Sequence, residues 1–250
     1  MPAYDFNAPR LHVAGDLAAG GALPLERAQA NYLLSVLRRG PDDPVLVFNG
    51  RDGEWRARLV QTGRKQADLL VVECTRAQTA QADLHYLFAP LKSARLDYLA
   101  QKAVEMGAGT IRPVLTRHTQ GERVNVDRLR ANAVEAAEQC GILALPTIHE
   151  PARLPAALAD LEPGRLLVFC DEDAAVSDPV RALRAAADPA DARPLAVLVG
   201  PEGGFADEER ALIRARPNTV ALSLGPRILR ADTAAVAVLA LVQAVLGDAR

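Results

Sequence analysis

Long apolar runs are missing from this chain. No window approaches the roughly 18 consecutive apolar residues that a membrane-crossing helix needs, and Met1 to Phe6 lack the basic-then-apolar pattern of a secretory leader. Both absences point to a soluble protein of the cytoplasm with no membrane partner. Cysteine is scarce too: Cys74, Cys140 and Cys170 are odd in number, far apart and never in a CxxC pair. That spacing excludes a disulfide framework and a thiolate metal centre, and leaves buried thiols acting as small hydrophobes. His12, His85, His118 and His149 show no HxxxH spacing, so no metal is expected. Of 29 basic residues only Lys65, Lys92 and Lys102 are lysine. Arginine forks phosphate and stacks on bases better than lysine, but the abundance of alanine assigns most of this bias to genome composition.

What is present is a chain of 250 residues, half of them hydrophobic, enough to bury the core of one large domain or two moderate ones. The net charge of −2 carries no overall nucleic-acid footprint, yet its distribution is uneven. Residues 1–75 hold nine basic and nine acidic side chains, 76–130 nine and five, and 131–250 eleven and seventeen. The central segment is therefore +4 and the C-terminal part −6, which allows a local basic face.

The first third reads as a small β-rich domain. An amphipathic helix over residues 25–39 carries Leu33, Val36 and Leu37 on one side and stops at Gly40-Pro41. Strands over 45–48 and 54–60 flank a glycine-rich hairpin connection at 49–53, and a third strand over 68–73 completes a meander or small barrel. In the second strand Trp55, Ala57 and Leu59 alternate with Arg56 and Arg58, giving one buried and one cationic face. Residues 77–83 read as a linker. Beyond it, strands at 85–89, 110–115, 166–170, 195–199 and 219–224 alternate with helices, which predicts a mostly parallel sheet covered on both faces. Pro113 within its strand argues for an edge or a bulge. Asp127 is expected to cap a helix reaching Cys140 with Leu129, Ala133, Ala136, Ala137 and Cys140 on its apolar side, and Asp178-Pro179 opens another. The last helix, residues 230–246, is apolar all round over 234–242 and so requires burial on nearly every side, in a threaded position, at a dimer interface or simply in the core.

Two glycine loops close the chain, Gly200-Pro-Glu-Gly-Gly204 and Ser223-Leu-Gly-Pro-Arg-Ile-Leu-Arg230. Neither is GxGxxG or GxxxxGK[ST], so a dinucleotide or triphosphate is poorly supported and a Rossmann-type oxidoreductase fails. Asp207, Glu208 and Glu209 at the next helix start favour its dipole but repel phosphate. A neutral or cationic ligand, with an adenine hydrogen-bonded to backbone amides, fits better.

Four motifs carry a resemblance to a known family. Gly200 to Phe205, Ser223 to Ala234, Lys102 to Gly107 and Glu135 to Gln139 look like the corresponding stretches of the RsmE-type 16S ribosomal RNA methyltransferases of the SPOUT superfamily, in order and spacing across essentially the whole chain. The resemblance implies an α/β protein with an N-terminal PUA-like β-barrel domain over 1–75 and a C-terminal SPOUT domain with a trefoil knot over 76–250. It also implies S-adenosyl-L-methionine as methyl donor, a homodimer, and methylation of a uridine N3 in 16S ribosomal RNA or the small ribosomal subunit. General topology rules disfavour a knot. Carried onto this sequence, the cofactor site comprises Phe169, Val199, Gly200, Pro201, Gly203, Gly204, Leu222, Ser223, Leu224, Gly225, Ile228, Leu229 and Thr233. Arg230 is expected to donate to a uracil carbonyl, and Glu202 is a base, an orienter or a structural acceptor. Phosphate contacts are expected from Arg10, Arg38, Arg56, Arg58, Lys92 and Lys102. The sequence departs from the family at three positions. Ala206 stands where Ser or Thr is usual, with Asp207 expected to take over as cap; Ile142 replaces an arginine; and Asp232 replaces Glu. Ribose 2′-O-methylation is disfavoured by Arg230-Ala-Asp-Thr-Ala234, and a non-catalytic assembly factor by retention of both glycine loops.

Overall fold

The computed structural model describes residues 8–120, 123–174, 178–186 and 194–247; the opening hexapeptide read for a leader pattern lies outside them. The chain forms two compact units, one running to Gln81 and including Ala137–Leu145, the other formed by Ala82–Ala136 and the chain from Pro146. No helix among the described residues is long and apolar enough to cross a membrane.

The first unit is a five-stranded sheet of β1 (Arg10–His12), β2 (Ala22–Pro24), β3 (Pro44–Phe48), β4 (Glu54–Gly63) and β5 (Gln66–Arg76), in the order β1-β3-β4-β5-β2. Only β1 and β3 run parallel; the other neighbours are antiparallel. The alternation in β4 holds, with Ala57 and Leu59 buried against Val45, Val47, Leu69 and Val71 while Arg56 and Arg58 face out. The expected helix over 25–39 is shorter. It consists of α1 (Arg27–Asn31) and a π-helical turn over Tyr32–Val36, where the Leu37 amide donates to the Tyr32 carbonyl. The wider turn swings Val36 out to 62% exposure, whereas Leu33 is fully buried. Arg38 then adopts φ 54°, ending the helix before Gly40.

Arg10 overturns its assignment as a phosphate contact. Its guanidinium is buried at 6% exposure, pairs with Glu54 Oε2, lies 4.1 Å over the Phe48 ring and donates to the carbonyls of Ala137 and Ile142. From the other side Arg76 grips the same carboxylate at 2.7 and 3.0 Å and donates to the Gly141 carbonyl at 2.8 Å. The end of a helix leaves carbonyls unpaired and favours cations there, so two arginines sharing one glutamate satisfy the chain end at 137–142.

The second unit is a parallel sheet of β6 (Leu84–Phe88), β7 (Thr110–Leu115), β8 (Thr147–Ile148), β9 (Ala152–Arg153), β10 (Leu166–Cys170), β11 (Leu195–Val199) and β12 (Thr219–Leu222), in the order β12-β10-β11-β6-β7-β8, with β9 also on β7. Pro113 marks a break in the ladder: β8 pairs with Thr110 and Ile111 and β9 with Val114 and Leu115, leaving the proline between them. Helices α2 (Ser93–Glu105), α5 (Pro179–Ala186) and α7 (Ala231–Val245) pack together, and α4 (Leu154–Ala159) packs with α6 (Asp207–Ala215). Helix α3 (Val126–Cys140) is capped by Asn125, whose side chain accepts the Arg128 amide at 3.0 Å; the expected cap, Asp127, lies in the first turn and pairs with Arg130. Leu129, Ala133, Ala136 and Ala137 are buried as expected, but Cys140 is exposed. So is Cys74, contrary to its reading as a buried thiol. Helix α7 buries Ala235, Val238, Leu239 and Val242, while Ala240 and Ala244 are exposed.

Removing Arg10 leaves a buried carboxylate short of a partner and the Ile142 carbonyl without its side-chain donor. Arg10→Ala is expected to lower unfolding free energy by about 3–5 kcal/mol, measured by denaturant titration, and a loss under about 0.5 kcal/mol would contradict the network. Burial pushes the Glu54 carboxyl up, but hydrogen bonds from Arg76 and Arg10 outweigh it and hold it below the usual 4.5. Its contribution is therefore present above pH 4.5 and lost as pH falls through the depressed value, and Glu54→Gln should flatten stability against pH in that range.

Candidate active site

In a parallel sheet, residues opposite one another share a face, and successive residues alternate. Phe169 pairs with Leu198 and Ala221, and with Leu87, Ala196 and Phe205 it faces the α4 and α6 side. Cys170, Val199 and Leu222 belong to the other face, and there the carboxyl ends of β10, β11 and β12 open into a cavity of about 720 Å³. That volume lies within the range of small-molecule sites.

Three loops wall the cavity: residues 170–174, 199–204 and 222–229, with Ala231 and Ala234 of α7 behind them. Most of the expected cofactor residues meet here, namely Val199, Gly200, Pro201, Gly203, Gly204, Leu222, Ser223, Leu224, Gly225, Ile228 and Leu229. Phe169 and Thr233 do not line it. Phe169 is fully buried beneath, edge-on to Phe205 at 5.1 Å, and Thr233 points to the exposed side of the first turn of α7. Ile228 borders the cavity but is 96% exposed, so its side chain closes no wall. Sequence reasoning missed Cys170, Asp171, Glu172 and Arg227. Strand alternation from Val168 would have selected Cys170 in place of Phe169.

Two glycines are required by geometry. A Cβ on Gly200 would lie 2.4 Å from the Phe205 ring, and Gly204 holds φ 68° with Glu172 Oε1 2.5 Å from where its Cβ would be. His118 braces the same loop, its Nδ1 lying 3.1 and 3.2 Å from the carbonyls of Gly203 and Gly204, which makes that nitrogen the N–H donor. Glu202 is engaged by Arg95 at 2.5 Å. At the start of α6 Ala206 remains the capping residue without a side-chain acceptor, and the expected shift to Asp207 does not occur. Glu209 accepts the Ala206 amide at 3.0 Å and the Arg117 amide at 2.9 Å.

The lining holds three carboxylates, Asp171, Glu172 and Glu202, and one cation, Arg227, and each carboxylate is paired with an arginine outside the lining. Asp171, Glu172 and Asp173 bring their carboxylates within 4.8 Å of one another, and Arg210 reaches all three while Arg214 holds Asp171. Burial, with Asp171 beside it, pushes the Cys170 thiol up to about 12, so it is neutral at physiological pH. Arg230 stands at the capping position of α7, exposed and without a capping hydrogen bond. Among the expected RNA contacts Lys92, Arg38 and Arg58 are exposed, Arg56 pairs with Glu73, and Lys102 is partly buried against Glu105 and Tyr98.

A parallel α/β sheet with a glycine-walled cavity outside its strand ends is the build of a ligand-binding enzyme domain. The chain belongs to the RNA methyltransferase domain family, whose model matches residues 78–243, preceded by a match to the RNA methyltransferase PUA domain over 25–72. The first unit is thus PUA-like, and the second is the methyltransferase. The chain is 28% identical over 235 residues to the ribosomal RNA small subunit methyltransferase E of Rickettsia conorii, covering 94% of each. To the protein of that name from Synechocystis it is 30% identical over 242 residues, 95% of this chain and 78% of the other. A Legionella pneumophila methyltransferase solved with bound cofactor SAM superposes with a TM-score of 0.83 at 26% identity, covering 95% and 98%.

Gly200→Ala is expected to cost about 1–3 kcal/mol by forcing the Phe205 ring aside, whereas Gly203→Ala, whose Cβ would meet His118 at an ordinary 3.5 Å, should stay within about 0.5 kcal/mol. Equal losses in thermal unfolding would contradict the geometry. Alkylation at pH 8 followed by peptide mapping should label exposed Cys74 and Cys140 and spare Cys170; rapid labelling of Cys170 would contradict its assigned environment.

Proposed function

We propose that the chain is an S-adenosyl-methionine-dependent methyltransferase that modifies N3 of a uridine in small-subunit (16S) ribosomal RNA. The carrying observation is the cavity: the backbone of four glycines at the strand ends, beside apolar Val199 and Leu222, suits an adenosine held by main-chain groups and an apolar wall. Similarity over nearly the whole length to ribosomal RNA small subunit methyltransferases supports the choice of RNA. In this reading the backbone of Gly200, Gly203, Gly204 and Gly225 approaches the cofactor, Val199, Leu222, Leu224 and Leu229 form its apolar wall, and Pro201 and Ser223 complete the loops. Phe169 acts indirectly, by seating Phe205 under Gly200.

When bound, S-adenosyl-methionine supplies an activated methyl group. The chain's own task is to align uridine N3 and to favour its deprotonated form, since the neutral imide is a poor nucleophile. We assign this role to Arg230, which follows the cavity-lining residues 227–229 at the start of α7. A cation at a helix N-terminus opposes the helix dipole, and no ion pair holds Arg230 among the described residues, so the position serves a developing anion better than it serves the helix. Glu202 braces the glycine loop through Arg95.

The PUA-like domain, residues 1–75, grips the RNA backbone through Arg38, Arg56 and Arg58, while Lys92 and Lys102 serve the methyltransferase domain over 76–250. The cytoplasm, where ribosomes are assembled, is the place of action. The last strand lies beside β10, and the chain then returns through α7 against β11 and α2; this path supports the reading of a deep C-terminal trefoil knot with 222–229 as one of its loops. A homodimer covers the small-residue side of α7 at Ala240 and Ala244.

Incubation with labelled cofactor and small-subunit particles or naked ribosomal RNA, from a strain without this activity, should yield 3-methyluridine by nucleoside mass spectrometry. Arg230→Ala should lower turnover by about 10²–10³-fold with cofactor affinity retained. A ribose-methylated product, or wild-type turnover in the variant, would overturn the reading.

A further inference from the structure

Ile228 is unlike any other apolar residue of the described chain. Single exposed hydrophobics are ordinary on protein surfaces, but Ile228 is 96% exposed where the next most exposed large hydrophobic, Val36, reaches 62%. It lies at the mouth of the cavity. Arg227 and Arg230, on either side of the Ile228-Leu229 pair, are both exposed, and neither is in an ion pair among the described residues. This contrasts with the other arginines around the site: Arg95 is held by Glu202, Arg117 by Glu208, and Arg210 and Arg214 by the acidic triplet. An unpaired cation and a bare β-branched side chain thus stand together on the rim, and a second unpaired cation follows at the start of α7.

A uridine within folded RNA is stacked and paired, and an enzyme that works on its base must first extrude it. Proteins that open a stack insert an apolar side chain between bases and fix the flanking phosphates with cations. We propose that Ile228 is the wedge that unstacks the target nucleotide, with Arg227 holding a neighbouring phosphate, a proposal that rests on the reading of the substrate as structured ribosomal RNA. Ile228 therefore leaves the cofactor wall, where the sequence had placed it, and becomes part of the RNA site. The apolar tip serves any base step, so selectivity for the position comes from how readily the surrounding RNA opens.

The test compares two substrates: folded small-subunit RNA, and a short unstructured oligonucleotide carrying the same uridine. For Ile228→Ala, kcat/KM should fall about 10–100-fold on the folded substrate, the loss equivalent to a few kcal/mol of unstacking, and change little on the oligonucleotide, with S-adenosyl-methionine affinity unaltered in calorimetry. Ile228→Leu should restore most of the difference. Arg227→Ala should reduce the slope of log affinity for folded RNA against log salt by about one. Equal losses on both substrates with weaker cofactor binding would return Ile228 to the cofactor wall and overturn the proposal. A shift in sedimentation to a smaller species would assign the residue to an interface between copies and overturn it as well. Failure of the unaltered protein to methylate either RNA would remove the functional reading itself, and the wedge with it.

Discussion

One carboxylate shared by two arginines underlies the first unit. Glu54 is 2% exposed, and without Arg10 and Arg76 its charge would be prohibitively costly to bury. With them, every partner is used twice. The carboxylate takes hydrogen bonds from both guanidiniums, and these in turn satisfy the carbonyls of Gly141 and Ile142 beyond the helix end and give that of Ala137 a second donor. Strands β1, β4 and β5 are thereby tied in one register to the segment after α3. Ile142 joins Phe48, Ala137 and Leu143 in a small apolar cluster beside this network. Its backbone carbonyl, rather than its side chain, takes part in the charged contacts.

The cavity in the second unit depends on a different constraint, the two-residue period of parallel strands. Because Cys170, Val199 and Leu222 share a face, the three loops that follow them leave the sheet on the same side and meet. The packing that makes this possible lies on the opposite face, where Phe169 and Phe205 fill the space below Gly200. Two helices that start at the site begin without a side-chain cap, α6 at Ala206 and α7 at Arg230.

Much of this was legible in the residues. The β-rich start, the alternation of strands and helices, the parallel sheet and the pairing of the two glycine loops all follow from periodicity and glycine placement. Where reading failed, long-range contacts decided. Arg10 looks like any surface cation in the sequence, because its partners lie 44 and more than 120 residues away. Phe169 was carried over from the family resemblance as the end of its strand, while the face of each residue depends on its register with β11 and β12. The π-helical turn at Tyr32–Val36 carries no sequence signature, and it alone reverses the burial expected of Val36. The acidic triplet at 171–173 was not singled out, because its tie to Arg210 on α6 has no local signature. Family resemblance supplied what periodicity could not, the chemistry expected of the loops.

The central claim is that S-adenosyl-methionine lies where the three loops converge. Ultraviolet cross-linking of labelled cofactor to the protein, followed by peptide mapping, tests it most directly. Label should appear on peptides containing residues 170–174, 199–204 or 222–229, and disappear in the presence of excess S-adenosyl-homocysteine. Label confined to the β-sheet of the first unit, or unaffected by the competitor, would contradict the account.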